Sequence, residues 1–164
     1  MNIISDATLD NMFQQLTVTV SSISMYFHDW CKMQYLYGMR YNETKDSKRW
    51  TLYTPSTYSV QCEKGDNHRY ILVSQVPQYI QYAISNNLEL WSQFRQRTAE
   101  RWINDYNAIG NIKCGNRGAS TYLFRYNCFK QLHLMGYSDD YIASYMGETD
   151  TKNVKGYYNA ILYY

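Results

Sequence analysis

Apolar positions recur at helical spacing along most of the chain and alternate, strand-like, over one short part of it. Leu9, Met12, Phe13 and Leu16 predict a first helix opened by Ser5 or Asp6. The β-branched and polar run Thr17–Ser22 fits no single state. Phe27, Trp30, Cys31 and Tyr35, with methionines beside them, predict a longer helix over Ser24–Tyr37 that Gly38 ends. Tyr41–Trp50 is charged and reads as a further short helix, and Pro55 among Ser and Thr as a turn. Tyr58–Cys62 and His68–Ser74 carry β-formers on either side of Glu63-Lys64-Gly65-Asp66-Asn67, the pattern of a β-hairpin. Pro77 suits the first turn of a helix through Ser85, with Tyr79, Ile80, Ala83 and Ile84 inside. Ser92 caps a helix over Gln93–Ala108, with Phe94, Trp102, Ile103 and Tyr106 inside and Arg95, Arg97 and Arg101 outside. After a loop at Gly115–Gly118, a helix carries Phe124, Cys128, Leu132 and Met135 as a core stripe. Ser138 caps the next helix, with Asp139 and Asp140 in its first turn and Ile142 and Met146 buried. Asp150 or Thr149 caps the last, where Val154, Tyr158 and Ile161 form the inward stripe. The pattern is α+β and mainly helical.

Composition narrows this reading. The 164 residues suffice for one domain with a sizeable core. A formal charge of +2 is small for a nucleic-acid binder, so any basic surface is local. One such region exists: no acidic residue falls between Asp105 and Asp139, while Lys113, Arg117, Arg125 and Lys130 do. An anion, most simply a nucleic-acid phosphate, is attracted there. Tyrosines number 19 against 5 phenylalanines, and most suit half-buried sites with a wet hydroxyl. Cys31, Cys62, Cys114 and Cys128 form no C-x-x-C pair, and the chain opens without a signal peptide. They read as reduced thiols in a cytoplasmic setting, with pairing in a thermophile as the alternative. His28, His68 and His133 show no metal spacing, and no run approaches a membrane span.

Four sets of residues suit phosphoryl transfer, which needs oxyanion donors, an acid for the leaving oxygen and a nucleophile. Arg40 follows Gly38-Met39 at a helix end, Lys64 sits at the hairpin turn, Tyr122 and Arg125 share a helix face, and Tyr157 lies on the last helix. Here the sequence resembles the tyrosine recombinase (phage integrase) family. Tyr37-Gly38-Met39-Arg40-Tyr41-Asn42-Glu43 is similar to its first box, T-G-L-R-x-x-E. Glu63-Lys64-Gly65-Asp66-Asn67-His68-Arg69 is similar to its hairpin lysine motif, Tyr122-Leu123-Phe124-Arg125-Tyr126 to H-x-L-R-H, and Met146-Gly147-Glu148 to L-G-H. Tyr157 follows nine residues on, at the family's nucleophile spacing.

The resemblance implies a mainly helical catalytic domain with a three-stranded antiparallel sheet, here as a single domain over residues 1–164 without the family's N-terminal DNA-clamping domain. It implies double-stranded DNA as partner, self-association on DNA, no membrane, and no cofactor. Tyr157 is then the nucleophile that forms a 3′-phosphotyrosyl link. Arg40 and Arg125 hold the non-bridging oxygens, Lys64 protonates the leaving 5′ oxygen, and Tyr122 donates to phosphate where the family has His. Arg69, Lys113, Arg117 and Lys130 are expected to touch DNA. Glu148 replaces the family's His or Trp, and it is protonated, turned away, or a base for Tyr157. From the residues alone, Arg40 can instead cap its helix or pair with Glu43, Lys64 can be merely solvated, and Tyr122 can be core. The alternatives to an active recombinase are a catalytically degenerate DNA-binding relative and a helical protein whose tyrosine-rich surface binds another protein.

Overall fold

The structure, a computed structural model, describes residues 5–19, 24–110 and 122–162. Helices α1 (Asp6–Thr19) and α2 (Ser24–Tyr37) lead to the short α3 (Tyr41–Lys45) and a 3₁₀ turn at Ser47–Arg49. Strands β1 (Trp50–Thr54), β2 (Thr57–Gln61) and β3 (His68–Leu72) follow. A second 3₁₀ turn at Val73–Gln75 leads to α4 (Gln78–Ser85), α5 (Gln96–Gly110), α6 (Tyr122–Leu134), α7 (Asp139–Tyr145) and α8 (Thr151–Leu162). The sheet is antiparallel in the order β1-β2-β3. This is the mainly helical α+β architecture expected from the sequence.

The predicted helix starts are explained by their caps. The Ser5 hydroxyl accepts the Thr8 amide, the Ser138 hydroxyl the Tyr141 amide, and the Asp150 carboxylate the Lys152 amide. Three details depart from the pattern. The first is β1, which occupies the end of the segment read as helical and the turn after it. Only Trp50 of its five residues is buried, so it carries no alternation to read. The second is α5, which starts at Gln96 because Leu90, Trp91 and Phe94 plug the core from an irregular turn before it. The third is Met135, which is 71 % exposed because α6 ends at Leu134 and the chain turns away. The side chains of Met12, Leu16, Tyr106, Tyr158 and Ile161 lie outside what is described, as do Cys114 and the Gly115–Gly118 loop.

The core is aromatic and centred on α2. Phe27 lies 4.9 Å from Trp102 and 5.6 Å from Phe94 between ring centroids, both edge-on. Trp30 is fully buried with its indole N–H on the Thr44 hydroxyl, which ties α2 to α3. Trp50, Tyr58, Val60, Arg69 and Ile71 form the inner face of the sheet, in the register Trp50–Val60–Arg69. Cys31, Cys62 and Cys128 are buried free thiols, and burial pushes all three above the ordinary thiol range. Among the described residues no helix is long and apolar enough to cross a membrane.

Candidate active site

Two helix ends build the site. At the first, the Gly38 amide closes α2 on the Gln34 carbonyl at 2.8 Å with φ +56°. The Gln34 side chain takes the next amide, that of Met39, at 2.7 Å. A methyl group at Gly38 would stand 2.8 Å from Cys128 Cβ and 3.1 Å from the Arg125 Cα, so only glycine lets α2 end against α6 here. The chain then reverses into α3 with Arg40 as its first flanking residue.

At the second, α7 ends in a Schellman motif. The Gly147 amide bonds the Ser144 carbonyl and the Glu148 amide bonds Ala143, with Gly147 at φ +70°. A methyl group at Gly147 would lie 2.5 Å from Cys62 Sγ. The motif turns Glu148 inward under the hairpin. Asn67 Nδ2 holds the Glu148 carbonyl at 3.1 Å.

Arg125 projects from α6 between these two ends and is 1 % exposed. Its Nη1 donates to the Gly38 carbonyl at 2.7 Å and its Nη2 to the Met146 carbonyl at 3.0 Å. The same Nη2 reaches Glu148 Oε1 at 2.6 Å, and Nε reaches the Tyr157 hydroxyl at 2.6 Å. From the other side, Arg40 Nη2 donates to Glu148 Oε1 at 2.9 Å. The Tyr157 hydroxyl donates to that same oxygen at 2.7 Å. Two guanidiniums and a phenol therefore meet on one carboxylate oxygen. These three donors come from α2–α3, α6 and α8, and the oxygen from the end of α7.

Glu43 is the quiet organiser. Fully buried, it accepts the Arg40 amide and guanidinium and, at 2.8 Å, the Glu63 amide of the hairpin. Arg40 thus has both the Glu43 pairing open to it from sequence and a place in the cluster. Arg69 corrects an expectation. It was expected to touch DNA but is 2 % exposed, and its guanidinium is spent on the Tyr37 and Met146 carbonyls, the two helix ends that frame Arg125. The odd register position of Arg69, inward beside Val60, is the signal that separates it from an exposed hairpin arginine.

Lys64 is exposed in the hairpin turn and is not one of the converging groups. The turn itself is docked at the site: Glu63 is bound to Glu43, and a methyl group at Gly65 would touch Thr149 at 3.0 Å. Lys130 is half-buried on α6, about 140° round the helix from Arg125 and so off the face that carries it. Lys113, Arg117 and the Tyr122 side chain lie outside the described residues. Gln34 and Asn67 are site-building residues that the sequence reading gave no role, and Glu43 was read there only as an alternative partner of Arg40. Glu43 stands inside the first box, so its position was visible even though its function was not.

Electrostatics follow from burial. Burial alone would raise the Glu148 carboxyl, but the charge and hydrogen bond of Arg125, with the Tyr157 and Arg40 contacts, outweigh it and hold the group at about 2. Burial, aided by the Glu148 charge, pushes the Tyr157 phenol above its ordinary value of 10 despite Arg125. Glu148 is therefore ionised, which removes the first of its expected states. It also faces inward, which removes the second. As a base it is badly matched here: the carboxyl is held low and the phenol is pushed up, so the proton stays on Tyr157. Burial disfavours the Arg125 charge, but Tyr157 and Glu148 more than restore it. Among the described residues, three buried arginines (Arg40, Arg69, Arg125) stand against two buried carboxylates (Glu43, Glu148), an excess of one positive charge. Arg40 Nε is buried without a partner.

No family model matches the chain, and no curated protein matches it in sequence. Solved structures do. The XerH site-specific recombinase bound to difH substrate, in a pre-cleavage complex, superposes with a TM-score of 0.66 at 14 % identity over 96 % of this chain and 50 % of that one. XerA recombinase gives 0.60 at 14 % identity over 96 % and 58 %. The Tn1549 transposon integrase in complex with circular intermediate DNA gives 0.61 at 13 % identity over 95 % and 62 %. The chain thus spans about half to three-fifths of the length of these structures. With nearly the whole chain superposed, it has the fold of a tyrosine recombinase catalytic domain.

Proposed function

We propose that the chain is the strand-cleaving domain of a site-specific DNA recombinase or integrase. One observation carries the reading: Arg40, Arg125 and the Tyr157 hydroxyl, all buried, converge on a single oxygen. Two guanidiniums and a phenol around one oxyanion is the arrangement that an in-line attack on a phosphodiester needs.

In this reading a scissile phosphate of duplex DNA enters the seat, and Arg40 and Arg125 hold its non-bridging oxygens. The unpartnered Arg40 Nε becomes a further donor. The Tyr157 hydroxyl releases its proton to solvent as its oxygen bonds to phosphorus and the bond to the 5′ oxygen breaks, giving a 3′-phosphotyrosyl link and a free 5′-hydroxyl. Lys64, carried on the docked hairpin turn, delivers the proton to the leaving oxygen. Attack by a partner strand's 5′-hydroxyl reverses the steps and rejoins DNA. The phosphoester bond is conserved throughout, so no cofactor is consumed. Arg125 is held at all of its nitrogens before substrate arrives, so little reorganisation is left for the reaction step.

The experiment is a covalent-trapping assay. The protein is incubated at low salt with a pool of randomised duplexes, each carrying a nick that lets the cleaved end diffuse away. Wild type is expected to give a denaturant-resistant protein–DNA adduct, and Tyr157→Phe none. An adduct that survives Tyr157→Phe overturns the assignment. One observation favours a second reading: Glu148 already fills the seat. A degenerate DNA-binding relative would bind duplex in a salt-dependent way and form no adduct under any condition.

A further inference from the structure

Glu148 Oε1 is a peculiar ligand for this site. It takes a hydrogen bond from Arg40, one from Arg125 and one from Tyr157, at 2.6–2.9 Å, which is the coordination a non-bridging phosphate oxygen would have there. The pocket that holds it is built: Arg125 is 1 % exposed and Arg40 5 % exposed, and each is anchored elsewhere, Arg125 on the Gly38 and Met146 carbonyls, Arg40 on Glu43. Neither arginine needs Glu148 to stay in place. An oxyanion and the Glu148 carboxylate cannot both occupy this seat, since two anions would share the same donors at contact distance.

We propose that the seat is an exchangeable site for a tetrahedral oxyanion, and that Glu148 is its internal competitor. The resting site is closed by the chain's own carboxylate, and substrate opens it by taking over the three donors. That the displacing anion is a scissile phosphate rests on the proposed function; that the seat exchanges a carboxylate for an oxyanion does not.

The carboxylate has somewhere to go. A groove of about 440 Å³ runs along Glu148, between the hairpin residues Asn67 and His68 and the turn into α8 at Thr149–Thr151. A rotation of the Glu148 side chain into it exchanges buried ion pairs for water. Asp140 and Asp150 also line this groove, so the outward position is opposed by like charge and is not the resting one. The site is therefore biased shut until a better anion arrives. The same contact keeps the nucleophile idle, because the Tyr157 proton is held between its own oxygen and Glu148. Removal of the carboxylate frees the phenol as it frees the arginines.

Sodium sulfate serves as the probe, a dianion throughout the neutral range. Its affinity is measured by calorimetric titration at pH 7 for wild type, Glu148→Gln and Glu148→Gln/Arg40→Gln. Glu148→Gln keeps the shape and loses the charge, and it is expected to bind sulfate at least tenfold tighter than wild type. The added Arg40→Gln change is expected to abolish that gain. Equal affinity in wild type and Glu148→Gln overturns the proposal, and so does a gain that persists without Arg40. Should circular dichroism show Glu148→Gln unfolded, wild type labelled with ¹³C at the glutamate carboxyls is titrated with sulfate instead. Saturation must then move the Glu148 carboxyl signal toward that of solvent-exposed glutamate, and a static signal sinks the idea. Sulfate exchange without any Tyr157 adduct would leave this inference standing and remove the recombinase reading. An adduct without sulfate exchange would do the reverse.

Discussion

At the scale of single residues, the question is how much one side chain is asked to do. Arg125 makes four hydrogen bonds from three nitrogens, two to helix-end carbonyls, one to Glu148 and one to the Tyr157 hydroxyl. A lysine has one nitrogen and cannot span these partners, so Arg125→Lys is not conservative here. Arg125→Ala should lower the single-turnover adduct rate by roughly 10²–10³, the usual cost of losing a main transition-state donor. It should also cost about 3–5 kcal/mol in urea unfolding, because it strips the strongest partner from a buried carboxylate. A near-wild-type rate would remove Arg125 from the chemistry. Glu148 makes a second, pH-dependent prediction. Its folded value of about 2 lies below the usual carboxylate range, so the stability it confers is complete above about pH 4.5 and is lost as pH falls from there toward 2. The gap in unfolding free energy between wild type and Glu148→Gln should therefore be level above pH 5 and narrow by about 3 kcal/mol below it. A gap that is constant from pH 7 to pH 3 would mean that Glu148 is not held by the arginines.

At the scale of elements, the site is a set of helix ends brought together by glycine. Gly38 and Gly147 both have positive φ, and a methyl group at either would run into a cysteine from elsewhere in the chain. Gly147→Ala adds left-handed strain and drives a methyl group into Cys62 Sγ, so it should cost several kcal/mol and displace Glu148. Gly147→Ala paired with Cys62→Ala relieves the overlap but not the backbone strain, so denaturant midpoints should recover only partly. Full recovery would mean that the backbone is at ease there without glycine. These local devices explain what could be read beforehand. Helix boundaries were legible where a cap and a stripe agree, as at Ser138 with Ile142 and Met146. The glycine beside Arg40 and the one beside Glu148 marked the turns. The hairpin was legible from its β-formers and its central glycine. β1 was hidden because its outer residues are solvent-exposed and carry no period. The inward turn of Arg69 was hidden because a hairpin arginine reads as exposed until the register is fixed. The meeting of Arg40, Arg125, Glu148 and Tyr157 follows from no local pattern, since these residues come from four separate parts of the chain. Only the family spacing anticipated it, and that spacing put Glu148 beside Tyr157 without seating its carboxylate between the arginines.

At the scale of the whole molecule, the tyrosine content becomes a property of stability. Six described tyrosines, Tyr37, Tyr41, Tyr58, Tyr79, Tyr145 and Tyr157, have phenols pushed up chiefly by burial. They are spread over α2, α3, β2, α4, α7 and α8, so nearly every layer of the fold carries one. A phenol whose folded value is raised holds its proton more tightly folded than unfolded. Its contribution to stability is complete below about pH 10 and is lost as pH rises beyond it. The buried thiols Cys31, Cys62 and Cys128 act in the same sense from about pH 9 upward. Fold and ionisation are thus coupled in many places at once, and the molecule should unfold cooperatively on the alkaline side. The check is an alkaline titration followed by phenolate absorbance and circular dichroism together. The six buried phenols should ionise above their ordinary value, in one steep step that coincides with loss of the helical circular dichroism signal. Smooth ionisation of all the tyrosines while the helical signal persists would show that these rings reach water in the folded protein, and that the Tyr157 hydroxyl is not confined between Arg125 and Glu148.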